Sequence, residues 1–129
     1  MHYKDASQKI TVTVEITHRY SYWLSMELIE LASIFGFTVT LHNILRTHQF
    51  NKLYEILLFS RKGFQERTIT EDEFAALDFH EKQEVEELEE RWKRKIIGAK
   101  PEKMHKFGPV RMKEIDDVLS RLGLKFRGE

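Results

Sequence analysis

The spacing of apolar residues changes period partway along the chain, and that change divides it in two. Ile10, Val12, Val14 and Ile16 are interleaved with Thr11, Thr13, Glu15 and Thr17, the period of two of a strand with one buried and one wet face. Ser21 can cap a helix whose Leu24, Leu28, Leu31 and Phe35 share one stripe, and Gly36 supplies a left-handed stop. Phe37, Val39 and Leu41 alternate again, and residues 53–61 are apolar on both faces, so two more strands are expected, joined by a hairpin loop at 47–52. Residues 43–61 also admit a helical reading, because Ile44, Leu45 and Leu53 do not fix the period.

The second half is helical throughout. Thr70 with Glu73 and Asp78 with Glu81 are both capping-box pairs, so two helix starts lie close together. Phe74, Leu77, Val85, Leu88, Trp92 and Ile96 would form one stripe on a continuous helix, but Glu81 would fall inside it. A break at Asp78, with Glu81 turned back to the cap, removes the conflict. The spacing therefore predicts a short helix over 71–77 and a long one over 79–97, ending at Gly98. After a loop with Pro101, Gly108 and Pro109, a last helix carries Met112, Ile115, Val118, Leu119 and Leu122 and stops at Gly123, with Leu124 beyond it as in a Schellman end.

The order β-α-β-β followed by three helices predicts an α+β fold, a three-stranded mixed sheet covered by helices, with a complete ferredoxin-like arrangement as second choice. Residues 1–129 are expected to form a single domain, with a sheet-forming half at 8–63 and a helical half at 70–125. A chain of 15.5 kDa buries roughly two-thirds of its unfolded surface, enough for one core.

Charge changes the picture more than composition does. The 129 residues carry 21 basic and 21 acidic side chains, yet residues 64–90 hold eleven acidic against two basic, and residues 91–113 nine basic against one acidic. Local fields, not the net charge of zero, would govern an encounter with a charged partner. No apolar run exceeds four residues and the polar start is no secretory signal, so neither a membrane span nor export is expected and the setting is predicted to be cytoplasmic. Without cysteine there is no disulfide, thiol nucleophile or thiolate zinc site. The six glycines write neither GxGxxG nor a Walker loop.

Four constellations remain. Arg91, Arg94, Lys95, Lys100, Lys103, Lys106 and Arg111, together with Lys93 and Lys113, could neutralise phosphates, with Arg46, His48, Lys52, Arg61 and Lys62 extending the surface. Glu81, Glu84, Glu86, Glu87, Glu89 and Glu90 make a dense acidic face, braced by expected Glu87–Arg91 and Glu89–Lys93 pairs, that could meet a basic groove or the basic stretch of a second subunit. On the first helix Tyr22, Met26 and Ile29, flanked by Trp23, lie opposite the Leu24 stripe, a patch suited to another chain. Finally, His42 and His48 would straddle the hairpin, but no HxH or HExxH spacing supports a metal site.

Taken together, the residues predict a non-catalytic binding or regulatory protein, an inhibitor being one form, that acts on a protein or nucleoprotein partner. Its contacts would be Tyr22, Trp23, Met26, Ile29, Glu84 and Glu87. A homo-oligomer is expected, with no cofactor, no metal and no membrane partner. The alternative is DNA or RNA binding through residues 91–113, and a weaker one is a metal-dependent nuclease using His42 and His48.

Overall fold

The computed structural model describes residues 26–129. The strand expected at 10–16 lies outside them, as do Tyr22 and Trp23. Seven helices follow one another among the described residues: α1 Leu28–Phe35, α2 Val39–Thr47, α3 Leu53–Leu57, α4 Arg61–Glu66, α5 Glu71–Ala75, α6 Phe79–Trp92 and α7 Pro109–Leu122. No sheet is present among these residues. Their only β pairing is two isolated bridges, Glu27 antiparallel to Lys52 and Ile69 parallel to Ile97. The expected three-stranded α+β sheet and its ferredoxin-like variant are therefore overturned in favour of a helical fold.

Two helices stand where strands were expected, and capping explains both. The Thr38 hydroxyl accepts the Leu41 amide at 3.1 Å and starts α2 at Val39. The apolar residues then sort by helical spacing: Leu41, Ile44 and Leu45 are buried, while Val39, which alternation would have placed beside Leu41, is 74% exposed. Strand propensity of β-branched residues is weak, and packing on one helical stripe overrides it. Farther on, the apolar run breaks at Ser60, whose hydroxyl accepts the Gly63 amide at 3.0 Å and opens α4. Leu53 and Ile56 are buried from α3, and Leu58 and Phe59 from the turn that follows it. The hairpin loop expected at 47–52 is the corner between α2 and α3, with Gln49 in the left-handed region at φ 60°.

The first helix begins at Leu28, with Glu27 as an extended N-cap whose amide donates to the Glu30 carboxylate at 3.4 Å. Met26 is consequently a buried residue ahead of the helix. Gly36 ends α1 at φ 71°, as its position foretold.

The helical half follows the sequence closely. Asp78 accepts the Glu81 amide at 2.8 Å and donates its own amide to the Glu81 carboxylate at 3.0 Å, so the chain does break between α5 and α6. Gly123 closes α7 at φ 71°, and the Leu124 amide reaches the Leu119 carbonyl at 2.8 Å. Two boundaries differ: α5 ends at Ala75, not at 77, and α6 stops at Trp92, not at 97. Lys93 turns left-handed at φ 54°, and the Glu89 carboxylate accepts the amides of Ile96 and Ile97 at 2.8 and 3.2 Å. This frees Ile96 and Ile97 to bridge Ile69, through Ile69 N–H to the Ile96 carbonyl at 3.1 Å and Gly98 N–H to the Ile69 carbonyl at 2.8 Å.

The core joins all these elements through rings. Phe50 lies 5.1 Å from Trp92 and 5.2 Å from Phe64, and Phe64 in turn meets Phe107 at 5.4 Å and Phe126 at 5.5 Å. Thus the α2–α3 corner, α4, the end of α6, the loop before α7 and the C-terminal segment share one aromatic cluster.

Gly63 is required by close approach, because a Cβ there would stand 2.5 Å from the Thr68 carbonyl oxygen. The Thr68 amide already donates to the Gly63 carbonyl at 3.0 Å, which holds the two backbones together. Gly63→Ala is expected to lose about 1–3 kcal/mol by overpacking, read as a fall in thermal midpoint. A midpoint equal to or above wild type, as when alanine merely stiffens an open helix, would contradict this packing.

Candidate functional site

The structure divides the basic segment by residue type. Arg91 points inward, its two terminal nitrogens on the two oxygens of the buried Glu55 at 2.9 and 3.0 Å. Arg94 donates to the Arg67 carbonyl at 2.7 Å and the Lys100 carbonyl at 3.2 Å, and its Nε pairs with Glu102 at 3.2 Å. Arg111 donates to the Thr38 hydroxyl at 2.7 Å and pairs with Glu114 at 2.9 Å. Arg61, expected to extend the surface, is held by Asp116 and Glu129, both at 2.8 Å. Guanidinium, with five donors in a planar fork, suits such multiple anchoring. The compact, strongly hydrated ammonium of lysine does not.

The lysines accordingly stay outside. Lys95, Lys100, Lys103 and Lys106 are exposed, and among the described residues no carboxylate forms a salt bridge with any of the four. Lys93 pairs with Glu90 at 3.0 Å and Lys113 with Asp117 at 3.7 Å, both on the surface. Of the seven residues expected to touch phosphate, four are presented to solvent and three brace the fold.

The acidic face is presented as well, though not with its expected braces. Arg91 is taken by Glu55 in place of Glu87, and Glu89 caps the 96–97 amides in place of pairing with Lys93. Glu81 is paired with Arg127. With Glu90 paired to Lys93, what remains without a salt bridge among the described residues is Glu84, Glu86 and Glu87 along α6. Their repulsion is visible in ionisation: the Glu87 carboxyl is held above the usual range, chiefly by the neighbouring charge of Glu84 and a hydrogen bond to it, with Arg91 opposing. Burial and a hydrogen bond donated to Glu84 push the Tyr54 hydroxyl well above its ordinary value.

Tyr54 and Glu84 line a groove of about 740 Å³ together with other residues of α3 and α6. Leu57 and Leu58 give it apolar lining, and Lys125 and Arg127 of the C-terminal segment line it too, the Arg127 amide donating to the Phe59 carbonyl at 3.2 Å.

Of the partner patch expected on the first helix, Tyr22 and Trp23 lie outside the described residues. Met26 belongs to the core, and Ile29 alone of the two described members is exposed, at 61%. Four other exposed apolar side chains were missed: Ile34, Val39, Phe79 and Val110. The sequence carried a signal for two of them. Phe79 lies well off the Val85–Leu88–Trp92 stripe, and Val110 falls opposite Met112, Ile115 and Leu119 at 100° per residue. His42 and His48 sit on and just after α2 in place of flanking a hairpin. Among the described residues no three side chains of the metal-binding types are grouped to hold an ion, and no helix is long and apolar enough to cross a membrane.

No family model, curated protein or solved structure matches this chain.

The strained charge on Glu87 gives a direct test. A carboxyl whose folded-state pKa is raised binds its proton more readily folded than unfolded, so it opposes stability at neutral pH and that effect fades as pH falls through its titration. Glu87→Gln should raise the thermal midpoint slightly at pH 7 in low salt, with the gain shrinking in 0.5 M salt and at pH 4. A variant less stable than wild type at pH 7 would show Glu87 to be a structural partner instead.

Proposed function

We propose that this is a non-catalytic binding protein that engages a protein or nucleoprotein partner through its charge-polarised helical half. One observation carries the reading: the acidic face of α6 and the lysines of 95–106 do not neutralise each other. Lys93 with Glu90 is the one salt bridge between residues 81–90 and 91–113 among the described residues. Both surfaces therefore project fields that steer and select charged partners. The exposed Phe79 at the start of α6 and the groove beside Tyr54 offer apolar contact next to the acidic face, the combination found where charged rims surround an apolar anchor. A cytoplasmic setting and self-association of acidic against basic surfaces belong to the same proposal.

The second reading is nucleic-acid binding. It is favoured by four exposed lysines without carboxylate partners, on a segment that also carries the ring of Phe107. It loses the three arginines, the side chains best suited to bidentate phosphate contact.

Two charge-reversal variants separate the readings. Glu84→Lys with Glu87→Lys alters the acidic face, and Lys100→Glu with Lys103→Glu alters the basic one. With tagged protein in extract of the native host, the partner is expected to be retained after nuclease treatment and lost in the acidic-face variant. Fluorescence anisotropy with single-stranded and duplex oligonucleotides at low salt tests the alternative. If four lysines contact phosphate, log affinity should fall with log salt at a slope of about −3 to −4 and the lysine variant should weaken all sequences alike. Oligonucleotide binding of that kind, with recovery abolished by nuclease, would replace the first reading. Retention unaffected by either variant would refute both.

A further inference from the structure

The loop at 99–107 carries Lys100, Lys103 and Lys106 and, beyond the Arg94 bond to the Lys100 carbonyl, is fastened at three points. Glu102 is the first: its amide donates to the Glu66 carbonyl at 2.8 Å, its carbonyl accepts Arg67 Nε at 3.2 Å, and its carboxylate pairs with Arg67 and Arg94. Buried Met104 and Phe107, with its ring against Phe64, are the second. The third differs in kind. The His105 amide donates to Nε2 of His48, at the C-cap of α2, at 3.3 Å. This bond exists only while that nitrogen is unprotonated, since the imidazolium has no lone pair to offer.

We propose that the His48–His105 contact is a pH-operated latch on the loop, closed when His48 is neutral and released when it takes up a proton. Protonation turns Nε2 from acceptor to donor, facing another donor. The surroundings resist the added charge: the Arg67 guanidinium at the end of α4 and the His105 imidazole in the loop face it, and among the described residues Glu102 is the carboxylate opposing them. His48 accordingly titrates below its ordinary 6.5, first through burial, then through Arg67, with Glu102 partly offsetting. Arg46 lies on His48's own helix, two residues before it. The residue after His105 is primed to move. Lys106 is held left-handed at φ 61°, a region a lysine rarely adopts. Letting go of the His105 amide allows Lys106 to relax, while Glu102 and Phe107 keep the loop attached at both ends. The change is local to residues 105 and 106, because Met104 stays buried in the core.

For stability the sign is fixed. A base whose folded pKa lies below its unfolded value contributes stability that is complete above the unfolded value and lost as pH falls through the folded one. The latch is therefore closed at pH 7 and opens on acidification below 6.5. That opening changes how Lys106 is offered to a partner rests on the reading of the lysines as a binding surface. The latch itself does not, because it is measured on the free protein.

The experiment is amide hydrogen exchange and proton–nitrogen NMR on the full chain from pH 7.5 to 5, with exchange corrected for its intrinsic pH dependence. His48 should titrate below 6.5. The His105 and Lys106 amides should follow the same midpoint, and protection at His105 should fall about fivefold, the worth of one ordinary hydrogen bond. His48→Gln places an amide oxygen where Nε2 was and does not titrate, so its His105 protection should stay flat over the range. His105→Gln removes the competing imidazole but keeps the backbone donor, so it should retain the wild-type profile. Protection at residue 105 that is independent of pH in wild type, or that still falls in His48→Gln, would overturn the proposal. So would a profile abolished by His105→Gln, which would assign the effect to His105's own ring.

Discussion

A buried carboxylate decides how this chain is put together. Glu55 is 1% exposed and accepts four donors: the Asn51 and Lys52 amides at 2.7 and 3.3 Å, and the two arms of Arg91 at 2.9 and 3.0 Å. An ionised group so far from water is tolerated only when it is paired and its lone pairs are met, and here they are. The bond network spreads from that point. Arg91 and the Trp92 indole both donate to the Gln49 carbonyl at 3.1 Å, while the Asn51 carbonyl accepts the Leu28 amide at 2.7 Å. The starts of α1 and α3, the end of α2 and the end of α6 thus meet at one corner, with Phe50 inserted against Trp92 beneath it.

The same clamp shapes the surface. Once Arg91 is committed to Glu55, Glu87 is left beside Glu84 without the full brace its spacing promised, and α6 keeps an uncancelled acidic face. Arg94 and Arg67 repeat the theme around Glu102. Arg67 is 7% exposed, with its guanidinium 5.3 Å from the Trp92 ring. Arginines hold the helices together and lysines remain in water, so the basic character of 91–113 survives on the outside with fewer charges than the sequence contains.

Local signals were legible where a cap and a stripe agreed. The Asp78 break, the short helix before it and the Gly123 stop all follow from residues within a few positions of one another, and the structure reproduces them. The failures came where the deciding partner was distant. Alternation in Phe37, Val39 and Leu41 resembles a strand, and nothing nearby says that Ile44 and Leu45 must join Leu41 against the core. Thr38 as a cap was the local clue, outweighed by β-branched neighbours. The early end of α6 depends on Ile69, more than twenty residues upstream, which draws Ile96 and Ile97 into a bridge. Glu55 could have been singled out as the carboxylate within an apolar run, but its partner lies thirty-six residues away. On the surface, both charge blocks were legible; which of their members the fold would consume was not.

The central claim is that Glu55 and Arg91 act as one unit that fixes the corner. A double-mutant cycle in chemical denaturation, using Glu55→Gln, Arg91→Met and the two together, measures it most directly. Each single change should destabilise by about 3–5 kcal/mol, because it strands the other partner. The double variant should be little worse than either single one, leaving a large coupling between the two. Small losses that simply add would contradict the account, because the corner would then be held by the surrounding rings alone.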